Sequence, residues 1–583
     1  MSGSTLRAAL LALLSAAALG ACNGDRGGAA RGGEDDNVPE EQKFGGTVTI
    51  GAYGDLQSMN ALTSSDNNSN SVQRELLFMP LIKYDEKLNP TPWLAERWDT
   101  ARVKPDTIEL TFHLRRDVKW HDGRPTTARD VLFTFQRAVE PKTAFPNASG
   151  FDLYDKRAVL VDDYTIKFRL RPHSDFMDMW YQTPAMPEHI LGRVPPEQLL
   201  NHPFGTKTPV GNGPFRFVRA VPNQEWVFQA NDSFPEALGG RPYVDRVVYR
   251  NIPEQTTLLT ELLTGRIDIY LGPRPDMAAQ IQNNPNTRLI AAPNRQWVYI
   301  AWNTRLPQFS DARVRRALTM GIDRRQIVDA LLYGYADVGR STVTPAHWSY
   351  DTTDVQTILP YDTVQARRLL TEAGWTDRNG DGTLENAQGV PLRFSLKTNQ
   401  GNDLRKDITE VVQAQLAKLG VQVTPRLVEW NTLISQLQGT EGAGGKRTRD
   451  FEATVNSWVD YFRKDDKDIL HCTNLERPYQ YVGYCNPRAD QLIDTLAVLM
   501  DRDQAMPLWK EYQHLMVQES PYTVLYYPKR LTGVSRRLRD AEMDIRGELT
   551  SATRWWIDPA RRGATAPAAP RPADTPRGDT TKR

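Results

Sequence analysis

The sequence predicts an α/β fold divided among more than one domain. Two features carry that prediction. Between residues 392 and 458, strand-like and helix-like segments alternate: LRFSLKT (392–398), DITEVVQAQLAKLG (407–420), VQVTPRLVEW (421–430), NTLISQLQG (431–439) and DFEATVNSW (450–458). Such a β-α-β-α-β run implies parallel strands joined by right-handed crossovers. The chain also has 583 residues, too many for one core at roughly 100–200 residues per domain.

The elements follow in order. GGTVTIGAYG (45–54) alternates apolar and polar residues, as a half-buried strand does. TIELTFHLR (107–115) does so without a break. Ile108, Leu110, Phe112 and Leu114 share one face, and Glu109, Thr111, His113 and Arg115 share the other. His113 therefore reads as a solvated strand residue. A turn at His121–Pro125 leads to Thr127 and Asp130, spaced as a capping box that opens a helix through Ala138. SDARVRRALTMGIDRRQIVDALLYG (310–334) holds two short helices, with Val314, Ala317 and Leu318 on one inner face and Ile327, Ala330 and Leu331 on the next. Ser310 and Asp323 are expected as their caps and Gly334 as the stop. YDTVQARRLLTEAGW repeats the design with Ala366, Leu369, Leu370 and Ala373. In the 407–420 helix, Ile408, Val411, Val412, Leu416 and Leu419 face inward. In open α/β sheets a ligand lies beyond the carboxyl ends of the strands. Trp430 and Trp458 fall at two such ends, and Asp460 lies just beyond one.

The N-terminus reads as an export signal. Arg7 precedes an uncharged apolar run from Ala9 to Leu19, too short for a permanent membrane span and suited to a signal-peptide core. It ends in Leu19-Gly20-Ala21-Cys22, which looks like a bacterial lipobox with Cys22 as the lipidated residue. Residues 1–22 are thus expected as a lipoprotein signal and 23–43, rich in Gly and charge, as a flexible tether. The Pro/Ala/Thr-rich tail, 561–583, is expected to be disordered. Only two other cysteines exist, Cys472 and Cys485. In an oxidising compartment they are expected to pair. The alternative, a metal pair, has only His471 nearby as a further ligand.

Composition excludes several function classes. With 72 basic and 71 acidic residues, formal net charge is +1, so nothing points to nucleic acid. GxSxG, HExxH and CxxC are absent, and the histidines lack metal-ligand spacing, so neither catalysis nor a cofactor nor a resident metal is expected. DRNGDGTLENAQ (377–388) places Asp377, Asn379, Asp381 and Gly382 like an EF-hand loop, but Gln388 stands where a bidentate Glu is needed, so a plain turn is expected. EGAGGKRTRD (441–450) lacks the P-loop spacing and reads as a mobile surface loop.

Several stretches, taken together, resemble the extracellular solute-binding proteins of family 5, the oligopeptide/dipeptide/nickel-binding subunits of ABC importers. They are GGTVTIGAYGDLQSMNAL (45–62), PWLAERWD (92–99), TFHLRRDVKWHDGRPTTARDVLFTF (111–135), GNGPFRFV (211–218), LLTGRIDIY (262–270), the 301–334 segment, ARRLLTEAGW (366–375), SWVDYF (457–462) and YCNPRADQLID (484–494). The resemblance implies a bilobal periplasmic-binding-protein-like fold, type II and cluster C-like, with an extra subdomain and a ligand cleft between lobes. On that pattern, residues 44–80, 208–292 and 525–560 form lobe I, 81–207 the extra α/β subdomain and 293–524 lobe II. It also implies a monomeric, lipid-anchored receptor on the outer face of a membrane, delivering its ligand to an ABC permease and ATPase.

In the peptide-binding members of that family, a W-x-x-D-Y-like segment supplies an aspartate for the ligand's α-ammonium group. Trp458, Asp460 and Tyr461 look like that segment, with one residue between Trp458 and Asp460. Trp430 and Tyr53 are further candidates for the cleft wall. An ammonium ion leaving water loses several kcal/mol, roughly, unless paired, and aromatic walls add about 0.5–2 kcal/mol of cation–π attraction. A structural role for Asp460 stands beside this: it caps the turn that follows or pairs with Arg463 or Lys464. Other solutes, such as oligosaccharides, nickel chelates or haem, suit the same fold. A peptidase-like enzyme or a ligand-free surface adaptor is the alternative of another class.

Overall fold

A computed structural model describes residues 38–562, apart from 65, 354–358, 461 and 463 and the side chains of 149 and 431. The expected signal segment with Cys22, most of the tether and all but the start of the tail lie outside the described residues, as does Tyr461. From Lys43 onward the chain forms one compact unit.

Three sheets organise that unit. The seven-stranded sheet runs, edge to edge, Thr287–Ala292, Arg530–Ser535, Ile269–Leu271, Thr47–Ala52, Arg246–Asn251, Glu225–Ala230 and Phe215–Val221. Its centre is Thr47–Ala52, parallel to both of its neighbours. The six-stranded sheet runs Ala336–Val338, Tyr522–Pro528, Gln296–Trp302, Ala453–Val459, Arg393–Asn399 and Gln422–Val428. Arg393–Asn399 is parallel to both Gln422–Val428 and Ala453–Val459, as the alternating run at 392–458 requires. The boundary expected between 524 and 525 falls inside Tyr522–Pro528, which belongs wholly to this sheet; the chain crosses to the seven-stranded sheet at Lys529. A four-stranded antiparallel sheet holds Ala95–Lys104, Thr107–Leu114, Thr165–Leu170 and Val159–Asp162.

Packing follows the side-chain periods. Ile108, Leu110, Phe112 and Leu114 are all buried, while His113 stays on the outer face, 2.8 Å from Asp99. Gln296–Trp302 shows no alternation because both of its faces are covered. Val298, Ile300 and Trp302 pack with one core cluster, and Trp297, Tyr299 and Ala301 with another. A third, larger cluster joins the seven- and four-stranded sheets.

Caps and turns are local and mostly as expected. Thr127 and Asp130 form the capping box of Ala128–Val139. Asp323 caps Arg324–Leu332, but Asp311, not Ser310, caps Ala312–Met320, because a further short helix, Pro307–Ser310, takes up Ser310. Trp430 opens the helix Trp430–Gln438 instead of ending a strand. The 441–450 segment contributes to a small hairpin, Thr440–Glu441 with Arg447–Thr448, whose Arg447 N–H donates to Glu476. Cys472 and Cys485 form a disulfide. The Asp377 carboxylate accepts the Gly380 and Gly382 N–H groups at 2.8 and 3.0 Å, which makes the 377–388 segment a self-capped turn.

One buried ion pair ties the C-terminal segment to the central strand. Asp268 is fully enclosed; it accepts the Thr49 N–H at 2.9 Å and an Arg537 guanidinium N–H at 2.8 Å. Removing one partner strands the other charge. Asp268→Ala should lower unfolding stability by about 3–5 kcal/mol in urea titrations; a loss below about 1 kcal/mol would place this pair with exposed ones.

Candidate functional site

The end of Ala453–Val459 sets the geometry. Past Val459 the chain keeps contact with its neighbour, as the Asp460 N–H donates to the Arg295 carbonyl at 3.0 Å. Phe462 then leaves its own half of the molecule. Its ring packs 5.3 Å from Tyr84 and 5.4 Å from Tyr181, which lie 5.1 Å from each other. Phe462 is thereby part of the core cluster of the seven- and four-stranded sheets. This is the seam between the six-stranded-sheet half and the rest.

Cations cover both ends of the aromatic trio. The Arg74 guanidinium lies 4.4 Å from the Tyr181 ring centre, and that of Arg295 lies 4.3 Å from Phe462. His347 fixes the Phe462 backbone: its Nε2 is 3.0 Å from the Phe462 carbonyl and its Nδ1 is 2.7 Å from the Ser349 hydroxyl. A carbonyl only accepts, so Nε2 carries the proton. Burial pushes this imidazole down to about 3, which keeps it neutral. A second strap crosses nearby. Arg502 lies over Trp348, at 5.0 Å, and donates to the Leu88 carbonyl at 2.6 Å and to Asn89 Oδ1 at 3.1 Å.

The seam carries several enclosed charges. Burial pushes the Glu75 carboxyl up, but Lys83 and Arg74, both at 3.1 Å, outweigh it and hold it below the usual carboxylate range. Lys464 sits between Asp460 Oδ1, at 3.0 Å, and Asp466 Oδ1, at 2.7 Å. Burial would pull its ammonium down, but the two carboxylates raise it. Asp466 also accepts from Thr342 and Tyr512, each at 2.6 Å. Asp460 is less well served: burial pushes its carboxyl up to about 6, against the pull of Lys464. Asp178, across the seam, is pushed up to about 6 by burial, with Arg295 pulling the other way. Burial, helped by Arg530, brings the Arg295 guanidinium down to about 10.

Of the residues expected at the site, Asp460 and Trp458 stand at the end of one strand. Trp458 is half-buried opposite Trp297 in register and meets Tyr479 edge-on at 6.1 Å. Asp460 already has the Lys464 partner that the structural reading names. Trp430 is 46% exposed and Tyr53 58% exposed; neither makes a ring contact among the described residues. Tyr84, Tyr181, Arg74 and Arg295 were not singled out in the sequence. PNRQW, an arginine set just before an apolar run, was the only local signal for Arg295.

Asp178 gives a pH signature. Its carboxyl rises from 3.8 to about 6 on folding, so the folded state holds the proton more tightly. The resulting stability is complete below the unfolded value and is lost as pH rises through about 6. Asp178→Asn is immune to that loss. Its stability relative to the natural chain should climb by about 2–3 kcal/mol between about pH 4 and pH 7 in urea titrations; a flat difference would mean an unshifted carboxyl.

Comparison with known proteins adds to this geometry. The family model for the bacterial extracellular solute-binding proteins, family 5 Middle, matches residues 89–474. The oligopeptide-binding protein AppA of Bacillus subtilis (strain 168) is 31% identical over 541 residues, covering 92% of this chain and 96% of that protein. The heme-binding protein A of Haemophilus influenzae is 27% identical, covering 75% and 81%. The structure of Bacillus subtilis AppA in complex with a nonapeptide superposes with a TM-score of 0.68 at 32% identity, covering 88% of this chain and 99% of that one. The ABC transporter substrate-binding protein CtaP of Listeria monocytogenes, at 22% identity, shares the fold with a TM-score of 0.75, covering 88% and 100%. The α/β bilobal binding-protein fold expected from the sequence is borne out by these likenesses.

Proposed function

Because this chain belongs to the bacterial extracellular solute-binding proteins, family 5, we propose that it captures a peptide-like solute in the seam and hands it to an ABC permease. The observation that carries this reading is the likeness, over nearly all of both chains, to an oligopeptide-binding protein whose structure holds a nonapeptide. In this proposal the receptor is monomeric and held at the outer face of a membrane by a lipid on Cys22. The permease's ATPase supplies the transport energy, and no bond of the solute is made or broken. Segments 44–80, 208–292 and the C-terminal part from Lys529 to 560 form lobe I, 81–207 the subdomain and 293–528 lobe II. Trp458, Tyr461, Trp430 and Tyr53 are the proposed walls.

Binding then works through closure. Opening the seam would return Tyr84, Tyr181 and Phe462 to water, at roughly 1.5–3 kcal/mol for each fully exposed ring. A solute that fills the gap recovers that contact and keeps water out, which strengthens each polar contact inside. It shifts the open–closed equilibrium only by its preference for the closed form.

A thermal-shift titration tests the reading. A synthetic random nonapeptide pool should raise the melting temperature; a site filled at about 100 times its dissociation constant adds roughly 2.7 kcal/mol. No shift with the pool, alongside a shift with maltooligosaccharides, nickel–histidine or haem, would sink the peptide reading in favour of that solute.

A further inference from the structure

The charges of the seam say what kind of group it leaves unanswered. Asp460 and Asp466 form a carboxylate pair, and one buried carboxylate pair at a cleft ordinarily calls for a cation. Here the chain brings its own. The Lys464 side chain is 1% exposed and contacts both acids, at 3.0 and 2.7 Å. Asp466 is completed by Thr342 and Tyr512. The second oxygen of Asp460, Oδ2, has no hydrogen-bond partner among the described residues, yet it is enclosed and offers no open surface. An arriving ammonium would have to displace Lys464, and a displaced lysine in this enclosed place would itself be a stranded charge.

Arg295 is the opposite case. Its guanidinium lies on Phe462, donates no hydrogen bond among the described residues, and has an enclosed, unpartnered Nε. Arginine carries five N–H donors and no acceptor. With Asp460 already paired to Lys464, the seam group left without a hydrogen bond is a donor and positive, with the Asp178 carboxylate acting on it from across the seam. It suits an acceptor oxygen, and it repels a cation.

We propose that Lys464 acts as a built-in cation that fills the Asp460–Asp466 pair, so that the receptor takes peptides without selecting for a free amino end and instead reads a peptide acceptor oxygen at Arg295. This rests on the peptide reading above. It makes Lys464 and Arg295 specificity-determining residues.

The test uses the lipid-free chain, the random nonapeptide pool and the same pool N-acetylated, with the midpoint of a thermal-shift titration as readout. The natural chain should bind both pools with midpoints within about threefold of each other, and Arg295→Gln should weaken both by at least about tenfold. Lys464→Gln, by vacating the carboxylates, should bring a preference of about tenfold or more for the free pool. A natural chain that already prefers the free pool by that margin overturns the proposal and leaves the peptide reading standing. So does a folded Lys464→Gln chain that still treats the pools alike, or an Arg295→Gln chain that binds like the natural one. If Lys464→Gln does not fold, the ratio for the natural chain decides. If neither pool binds, the peptide reading falls and this proposal with it.

Discussion

Charge carried out of water needs a partner, and the architecture of this molecule is arranged around that requirement at its seam. Glu75 is held between Arg74 and Lys83, and Lys464 between Asp460 and Asp466. The same rule governs Asp268 and Arg537, which fasten the C-terminal segment to the central strand. Breaking such a pair costs more than the pair contributes, because the remaining charge stays buried. The exceptions are therefore informative. Asp178 and Arg295 are incompletely served, and both lie at the seam.

The cohesion of the seam is modest in kind. It includes three rings, two flanking guanidinium groups, one arginine strap and a backbone hydrogen bond from the Ser174 N–H to the Ala497 carbonyl at 3.0 Å. By contrast, the six-stranded sheet carries a buried core on each face, and the seven- and four-stranded sheets share a third. Separating the halves breaks these contacts while leaving the backbone ladders of each sheet paired. A receptor needs this ordering of stabilities. If the seam were as strong as the cores, closure would be permanent; with no apolar contact it would not exclude water.

The same physical terms decide what was legible in the sequence. TIELTFHL could be assigned in register because one face meets water, and the solvated face records itself as polar residues. Gln296–Trp302 could not, because burial on both faces erases the alternation that marks a strand. Capping at Thr127 and Asp130 was readable from spacing alone, whereas Asp311 and Ser310 are adjacent and equally suited, and only the short helix before them decides. The parallel strands of 392–458 were readable from element order. The partner of Asp460 was not settled by spacing, since neither Asp460 nor Lys464 lies on a helix, and outside a helix an i,i+4 separation carries no fixed geometry. Tyr84 and Tyr181 were invisible as seam residues because their partner, Phe462, is distant in the chain and each passes as ordinary core.

This division has a consequence for how function is distributed in such a fold. Strand order, caps and core faces specify a two-part molecule, and that fold is shared with relatives that differ in what they are named for binding. One relative's structure holds a nonapeptide, and another relative is named for binding heme. Fold alone therefore does not choose the solute. The choice falls to a few seam charges whose balance one side chain can reverse. Remove the positive charge at Lys464, and a closed carboxylate pair becomes a demand for a cation; keep it, and the demand passes to Arg295 and changes sign.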